Sequence, residues 1–235
     1  ILQGRLDSTR LPGKSLLDLG GEPLLFRVME ALKRVSCDIR ILACPTDCES
    51  AFLPLAHRAG FELVTGSKND VLQRFCKAIR RFDADYIIRA TGDNPFVFAD
   101  AADALAREAV AHGADYSAYA DLPYGAGVEA VKVSALLRAE TESSLAFDRE
   151  HVCPYLYNHP AVFSLHRPSA PGLWLDPLLK KDGVTRLTVD TSEDLERARI
   201  LYAALTETYR CGDERYLGEN IIRAYTSRFV YGGPS

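Results

Sequence analysis

Three cations fall within ten residues near the start of the chain, in Gln3-Gly4-Arg5-Leu6-Asp7-Ser8-Thr9-Arg10-Leu11-Pro12-Gly13-Lys14. Arg5, Arg10 and Lys14 are interleaved with the hydroxyls of Ser8 and Thr9 and with two glycines. Arginine offers a planar fork to phosphate oxygens, and lysine offers a compact point charge. Glycine lets backbone N–H groups approach an anion closely. This is the composition of a loop that wraps a polyanion such as a triphosphate; a solvated basic loop is the plainer alternative. Two carboxylates could complete such a site. Asp93 follows the apolar run Tyr86-Ile87-Ile88-Arg89-Ala90, and Asp190 follows Leu187-Thr188-Val189. Mg²⁺ takes one or two protein carboxylates and fills its other positions with water and substrate phosphates. Asp is also common in turns and at helix N-termini, and each of these two fits those roles as well.

The elements that would position these groups alternate in type. Short β-type runs occur at Ile1 to Gln3, Asp38 to Ala43, Phe61 to Thr65 and Asp85 to Thr91. Between them, helical spacing of apolar residues covers Pro23 to Val35, Glu49 to Ala59 and Asp70 to Phe82. Gly60 stands where a C-terminal glycine belongs, and Asp70 where an N-cap belongs. A further helix is expected over about 100–111. Strands are expected at Tyr116 to Tyr119, Glu129 to Val133 and Val184 to Val189, and a C-terminal helix opens with a capping box at Thr191 and Asp194. The reading is a single α/β domain spanning 1–235, with a Rossmann-like, mostly parallel sheet flanked by helices. The Pro- and Tyr-rich stretch 115–180 breaks the alternation and reads as an excursion that adds a substrate wall or a subunit interface. In such sheets ligands bind outside the carboxyl ends of the strands, so Arg5, Asp93 and Asp190 should gather on that edge.

Ser8 to Ser15, S-T-R-L-P-G-K-S, comes one residue short of the P-loop pattern G-x-x-x-x-G-K-[ST]. Its first glycine is replaced by Ser8, and after Lys14 the chain runs through Ser15-Leu16-Leu17-Asp18-Leu19 into the turn Gly20-Gly21 rather than opening a long helix. A P-loop kinase is therefore disfavoured.

The run from Gln3 to Lys14 resembles the N-terminal signature of the CMP-sugar synthetases, which reads approximately Q/P-A-R-x-x-S-T-R-L-P-G-K, followed by a short hydrophobic strand and a G-x-P-L turn. Gly4 stands where Ala is usual. The resemblance continues in order through Gly92-Asp93-Asn94-Pro95, Asp148-Arg149-Glu150-His151-Val152 and Thr188-Val189-Asp190-Thr191-Ser192-Glu193-Asp194-Leu195-Glu196. It is nearest to the branch named after spore coat polysaccharide biosynthesis protein F. The resemblance implies a glycosyltransferase-A-like fold, CTP as the nucleotide, Mg²⁺ held by Asp93 and Asp190, and a sugar or sugar acid as acceptor. It implies that Arg5, Ser8, Arg10 and Lys14 hold the phosphates, with Arg5, Lys14, Asp93 and Asp190 as the catalytic set. It places Arg74 near the base and Arg149, Glu150 and His151 on the sugar side, with Gly127 and Glu129 lining the same wall. The active unit it implies is a homodimer.

The composition bounds the alternatives. A net charge of −4 over 235 residues gives no global attraction to nucleic acid or to an anionic membrane. The hydrophobic content of 47% argues against disorder. No apolar run approaches the ~18 residues of a membrane span. Six cysteines without a C-x-x-C pair read as free thiols in a reducing cytoplasm. The chain starts at Ile1, as if its first strand were cut short. Rival readings are another sugar or sugar-phosphate nucleotidyltransferase, a non-catalytic nucleotide-sugar-binding protein, and a glycosyltransferase of the same fold. The last is hinted at by Asp83-Ala84-Asp85, although that D-x-D precedes its strand rather than following it. His57, His112, His159 and His166 show no partner pattern.

Overall fold

The computed structural model describes residues 1–175, 185–210, 212 and 214–230. Strand β1 (Leu2–Gln3) is followed by helix α1 (Leu24–Leu32), strand β2 (Ile41–Pro45), helix α2 (Glu49–Ala59), strand β3 (Glu62–Gly66), helix α3 (Val71–Arg81), strand β4 (Tyr86–Thr91) and helix α4 (Ala99–His112). These four strands pair in parallel, in the order β3-β2-β1-β4. Successive residues of each strand feed opposite layers, as a two-residue side-chain period requires. Leu42, Ala90 and Ala130 pack with α1, α2 and α4, whereas Ala43, Ile87 and Val131 pack on the α3 side. A sheet buried on both faces has to read as apolar runs, and these do.

Local signals set the helix ends. Asp70 accepts the backbone N–H of Gln73 with Oδ1 at 2.9 Å and caps α3, a contribution of about 1 kcal/mol. Gly60, at φ 72°, ends α2 in the left-handed conformation that glycine adopts without a Cβ penalty.

The sheet continues beyond β4 with the opposite sense. Strand β5 (Tyr116–Ser117) and strand β6 (Glu129–Lys132) are followed by helices α5 (Val133–Glu142), α6 (Ala146–His151) and α7 (Pro154–Tyr157) and by strand β7 (Leu165–His166). The order is β4-β6-β5-β7, with β6 antiparallel to both neighbours and β7 parallel to β5. The described part of the 115–180 stretch is thus no mere excursion, since it completes a mixed sheet. Helices α8 (Ser192–Thr208) and α9 (Gly218–Phe229) form a further layer, in which Leu195, Leu201 and Ile221 pack with Leu24, Phe98 and Trp174.

Two expected strands are absent from the sheet. Residue 184 lies outside the described residues, and 185–189 form an extended segment with a single bridge, Arg186 to Tyr124. Leu187 N–H donates to Tyr124 O at 2.8 Å and Val189 N–H to Asp93 O at 2.8 Å. The segment runs past the end of the sheet, because β4 is already paired on both sides by β1 and β6. The stretch after the basic loop is also no strand: Lys14–Leu16 form one 3₁₀ turn. The Tyr116 to Tyr119 strand shortens to two residues. Among the described residues, no helix is long and apolar enough to cross a membrane.

Candidate active site

The basic loop closes on itself over the end of β1. Ser15 Oγ donates to Arg5 O at 2.7 Å, Gly13 N–H donates to Leu6 O at 3.1 Å, and Leu11 N–H reaches Ser8 Oγ at 3.4 Å. At Gly92 β4 turns hard against β1: a Cβ there would lie 2.8 Å from Gln3 O, so only glycine permits the approach. The loop and the β4 end thereby face one cleft of about 610 Å³ at the carboxyl end of the parallel strands. Arg5, Ser8, Arg10, Lys14, Arg74, Asp93, Gly127, Glu129, Glu150, His151 and Asp190 all line it. Asp83 and Asp85 lie at the other end of β4, beside a separate cavity, which removes the motive for the D-x-D reading.

The centre of the cleft is a charge cluster. Lys14, only 8% exposed, directs Nζ at Asp93 Oδ2 (3.1 Å), Asp190 Oδ1 (3.0 Å) and Val189 O (2.8 Å). Arg10 Nη2 lies 2.9 Å from Asp190 Oδ1, and Arg186 Nη2 lies 3.0 Å from Asp190 Oδ2. Asp93 also accepts Thr91 Oγ1–H at 2.7 Å. Although 185–189 is not a sheet strand, Asp190 is firmly set. Its N–H donates to Asp194 Oδ2 at 3.1 Å, and the capping box of Thr191 and Asp194 forms as expected. Burial alone would raise the Asp194 pKa, but hydrogen bonds from the Asp190 backbone and Arg197 hold it below the usual value. Asp93 and Asp190 fit a hard divalent cation: both present carboxylate oxygens to one position, now taken by an ammonium. No group of three or more metal-ligating side chains gathers among the described residues, and Mg²⁺ does not need one.

Arg74 is 2% exposed, with no carboxylate partner in hydrogen-bond reach among the described residues. Its Nη1 donates to Ser67 O at 2.6 Å, and its Nε is buried without a partner. Burial lowers its pKa. Such a guanidinium is a donor set waiting for an acceptor.

The opposite wall differs from expectation in one residue. Arg149 does not line the cleft. Its Nε and Nη2 grip Asp70 Oδ2 at 2.9 and 2.5 Å, and Nη1 donates to Glu140 O at 2.5 Å. It straps α6 to the N-terminus of α3 and the end of α5. Glu150 and His151, one and two residues on, face the cleft: Glu150 Oε1 lies 3.5 Å from Arg5 Nη1, and the His151 ring lies tilted against Phe147, centroids 4.4 Å apart. Helix α6 ends in a one-residue reversal. Val152 has φ 75° and ψ −58°, and Cys153 N–H donates across it to His151 O at 2.9 Å, a strained γ-turn.

Glu129 is also less free than the sequence suggests. It pairs with Arg89 and accepts Tyr116 O–H at 2.8 Å, while Arg89 Nη2 donates to Gln3 Oε1 at 3.0 Å. Burial alone would lower the Arg89 pKa, but Glu129 raises it, and burial raises that of Tyr116. Arg89 and Tyr116 were missed in the sequence, although a lone arginine inside the apolar run 86–90 was an available signal. Tyr124, 63% exposed at the rim with Arg186 over its ring at 5.0 Å, was missed too. His112 and His166 stack on each other, with His166 Nε2 3.1 Å from Glu108, and neither lines the cleft.

Comparison with known proteins gives the family. Residues 1–217 match the family model described as cytidylyltransferase. The chain is 34% identical over 209 residues to the spore coat polysaccharide biosynthesis protein SpsF of Bacillus subtilis, covering 86% of this chain and 85% of that one. It is 26% identical to a 3-deoxy-manno-octulosonate cytidylyltransferase of Agrobacterium fabrum, covering 88% and 95%. A solved cytidylyltransferase from Leptospira borgpetersenii superposes with a TM-score of 0.84 at 22% identity, covering 100% of this chain and 95% of that one, and so shares its fold. With the family model matched over 217 of its 235 residues, the chain belongs to the cytidylyltransferase family and is a CTP-dependent nucleotidyltransferase.

Proposed function

We propose that the protein makes a CMP-activated sugar from CTP and a sugar or sugar acid, releasing pyrophosphate, for surface polysaccharide synthesis. One observation carries this reading most: the cation cluster around Asp93 and Asp190 shares its cleft with a wall bearing Glu150 and His151. The relatives named for spore coat polysaccharide and for 3-deoxy-manno-octulosonate support the same class of acceptor.

In this scheme Arg5, Arg10 and Lys14 hold the β- and γ-phosphates and Ser8 adds a hydroxyl donor. Arg74 donates to the acceptor edge of the base. Asp93 and Asp190 would hold Mg²⁺, which when bound neutralises phosphate charge. The acceptor oxygen attacks the α-phosphorus in line; the bond to the β-phosphate oxygen breaks, and the basic loop stabilises the departing pyrophosphate. Glu150 and His151 are the groups at the acceptor end able to take the proton of an attacking hydroxyl. Gly127 and Glu129 shape the wall, and Arg149 acts by placing Glu150 and His151.

The working unit in this proposal is one domain acting as a homodimer. Leu145 and Phe147, 65% and 58% exposed at the start of α6, are apolar surface that a second copy would cover. Free thiols at Cys37, Cys44, Cys48, Cys76 and Cys153 suit a reducing cytoplasm. Cys211 lies outside the described residues. Pyrophosphate release measured with each of four nucleoside triphosphates, against a panel of sugars, sugar acids and sugar phosphates, tests the reading. CTP-specific release with a sugar acid or free sugar is expected; release with sugar phosphates only, or none with CTP, overturns it. Light scattering on the purified protein checks the dimer.

A further inference from the structure

Lys14 is not extended toward the open cleft. Its ammonium sits between the two carboxylates, with a third oxygen ligand from Val189, at 2.8 to 3.1 Å from each. The side chain is 10% exposed, so the ammonium has given up most of its water for these three oxygens. Arg10 and Arg186 also contact Asp190. Three cations thus surround two carboxylates, and the cluster carries a net positive charge before any ligand arrives. A hard divalent cation approaching alone meets that positive charge and finds its place between the carboxylates taken. A triphosphate reverses the sign, because it offers Lys14, Arg10 and Arg5 another set of anionic oxygens a short distance away in the same cleft.

We propose that Lys14 is an internal stand-in for the divalent cation: it holds Asp93 and Asp190 together in the free protein and moves to the phosphates when nucleotide binds. The metal then enters with the nucleotide and not before it. Without a cation between them the two carboxylates would repel across the open cleft, so the ammonium also keeps the site shaped for the ion that replaces it. The second half of this inference rests on the reading that a nucleoside triphosphate binds here; the first half, the exclusion of free metal, does not.

The test uses Mn²⁺ as a spectroscopic probe, with free Mn²⁺ counted by electron paramagnetic resonance. The wild-type chain without nucleotide should take up Mn²⁺ weakly, and Lys14→Met should bind it about tenfold more tightly or better, since one competing unit charge is gone. With CTP present, the wild type should bind Mn²⁺ beyond what CTP alone holds. Wild-type affinity without nucleotide equal to that with CTP overturns the proposal, and this measurement needs no variant to fold. A folded Lys14→Met with unchanged Mn²⁺ affinity also overturns it. If CTP fails to bind in calorimetry while Lys14→Met still gains Mn²⁺ affinity, the stand-in role holds and the nucleotide reading fails.

Discussion

The two walls of the cleft handle charge in opposite ways. On the phosphate side the ion pairs are exchangeable: Arg5 and Arg10 are exposed, and each now contacts a carboxylate that a ligand could replace. On the side proposed for the acceptor the charges are locked. Arg89 is held by Glu129 and Gln3, and Arg149 by Asp70 and Glu140 O. Exposed pairs contribute little to stability and can be given up for a ligand at small cost. A buried pair opens only where a new partner takes up each charge, as in the exchange proposed for Lys14, and the Arg89 and Arg149 pairs are offered none. The first set can do chemistry on a polyanion, and the second can only fix the shape of the wall. The type of a residue does not tell the two apart; its burial and partners do.

The comparison breaks most sharply at Arg89. Arg89→Met should cost about 3 kcal/mol in urea denaturation, because Glu129 is left without its cation, while Arg89→Met with Glu129→Leu should recover most of the loss. An additive double variant would mean that the pair is not a unit. On the exchangeable side, Asp93→Asn and Asp190→Asn should each lower kcat/KM by about 10²-fold or more, with the double variant little worse than either. Asp190 is 6% exposed and binds three cations, so its Asn variant should also lose stability, by about 1–3 kcal/mol, whereas Asp93→Asn should keep a near-normal unfolding midpoint. Independent, multiplying activity losses would show two sites rather than one.

Arg149→Gln sharpens the distinction between touching substrate and placing what touches it. KM for the acceptor should rise severalfold and KM for CTP less, and Asp70→Asn should reproduce that pattern, because both remove one strap. An Arg149 variant with an acceptor defect that Asp70→Asn does not share would return Arg149 to direct contact. The smallest effect is on acid stability. The folded pKa of Asp194 lies below the ordinary value, so its stabilisation is complete above about pH 4 and is lost as the pH falls through the lowered folded value. Asp194→Asn should flatten that part of the stability curve in acid titration.

The basic loop was legible because its three cations lie within ten residues, whereas Asp93 and Asp190, 79 and 176 positions from Lys14, were reached only through the apolar runs they follow. The loop 3–14 declares its chemistry by composition, and the capping box at Thr191 and Asp194 declares the start of α8. The parallel half of the sheet was legible for the same reason, since each strand and helix carries its own period. The wall proposed for the acceptor is assembled across separations of up to 86 positions. Nothing local in Asp148-Arg149-Glu150-His151 says that Arg149 turns away to Asp70, 79 residues earlier, while Glu150 turns in. The apolar run ending at Val189 looked like a sheet strand because a segment buried under a loop needs the same residues. Only the pairing of β4 on both sides excludes it.

The reversal at Val152 decides which changes this corner can accept at all. Val152 and Cys153 are both 0% exposed, packed with Leu156 between α6 and α7. A β-branched residue at positive φ stays there only because its surroundings hold it. Glycine would take the angle freely but would empty a filled place in the core. An inserted residue would undo a turn that spans a single position and would swing His151 away from Pro154, where α7 begins. The count of residues from Arg149 to Pro154 is therefore as much a part of the wall proposed for the acceptor as their identities.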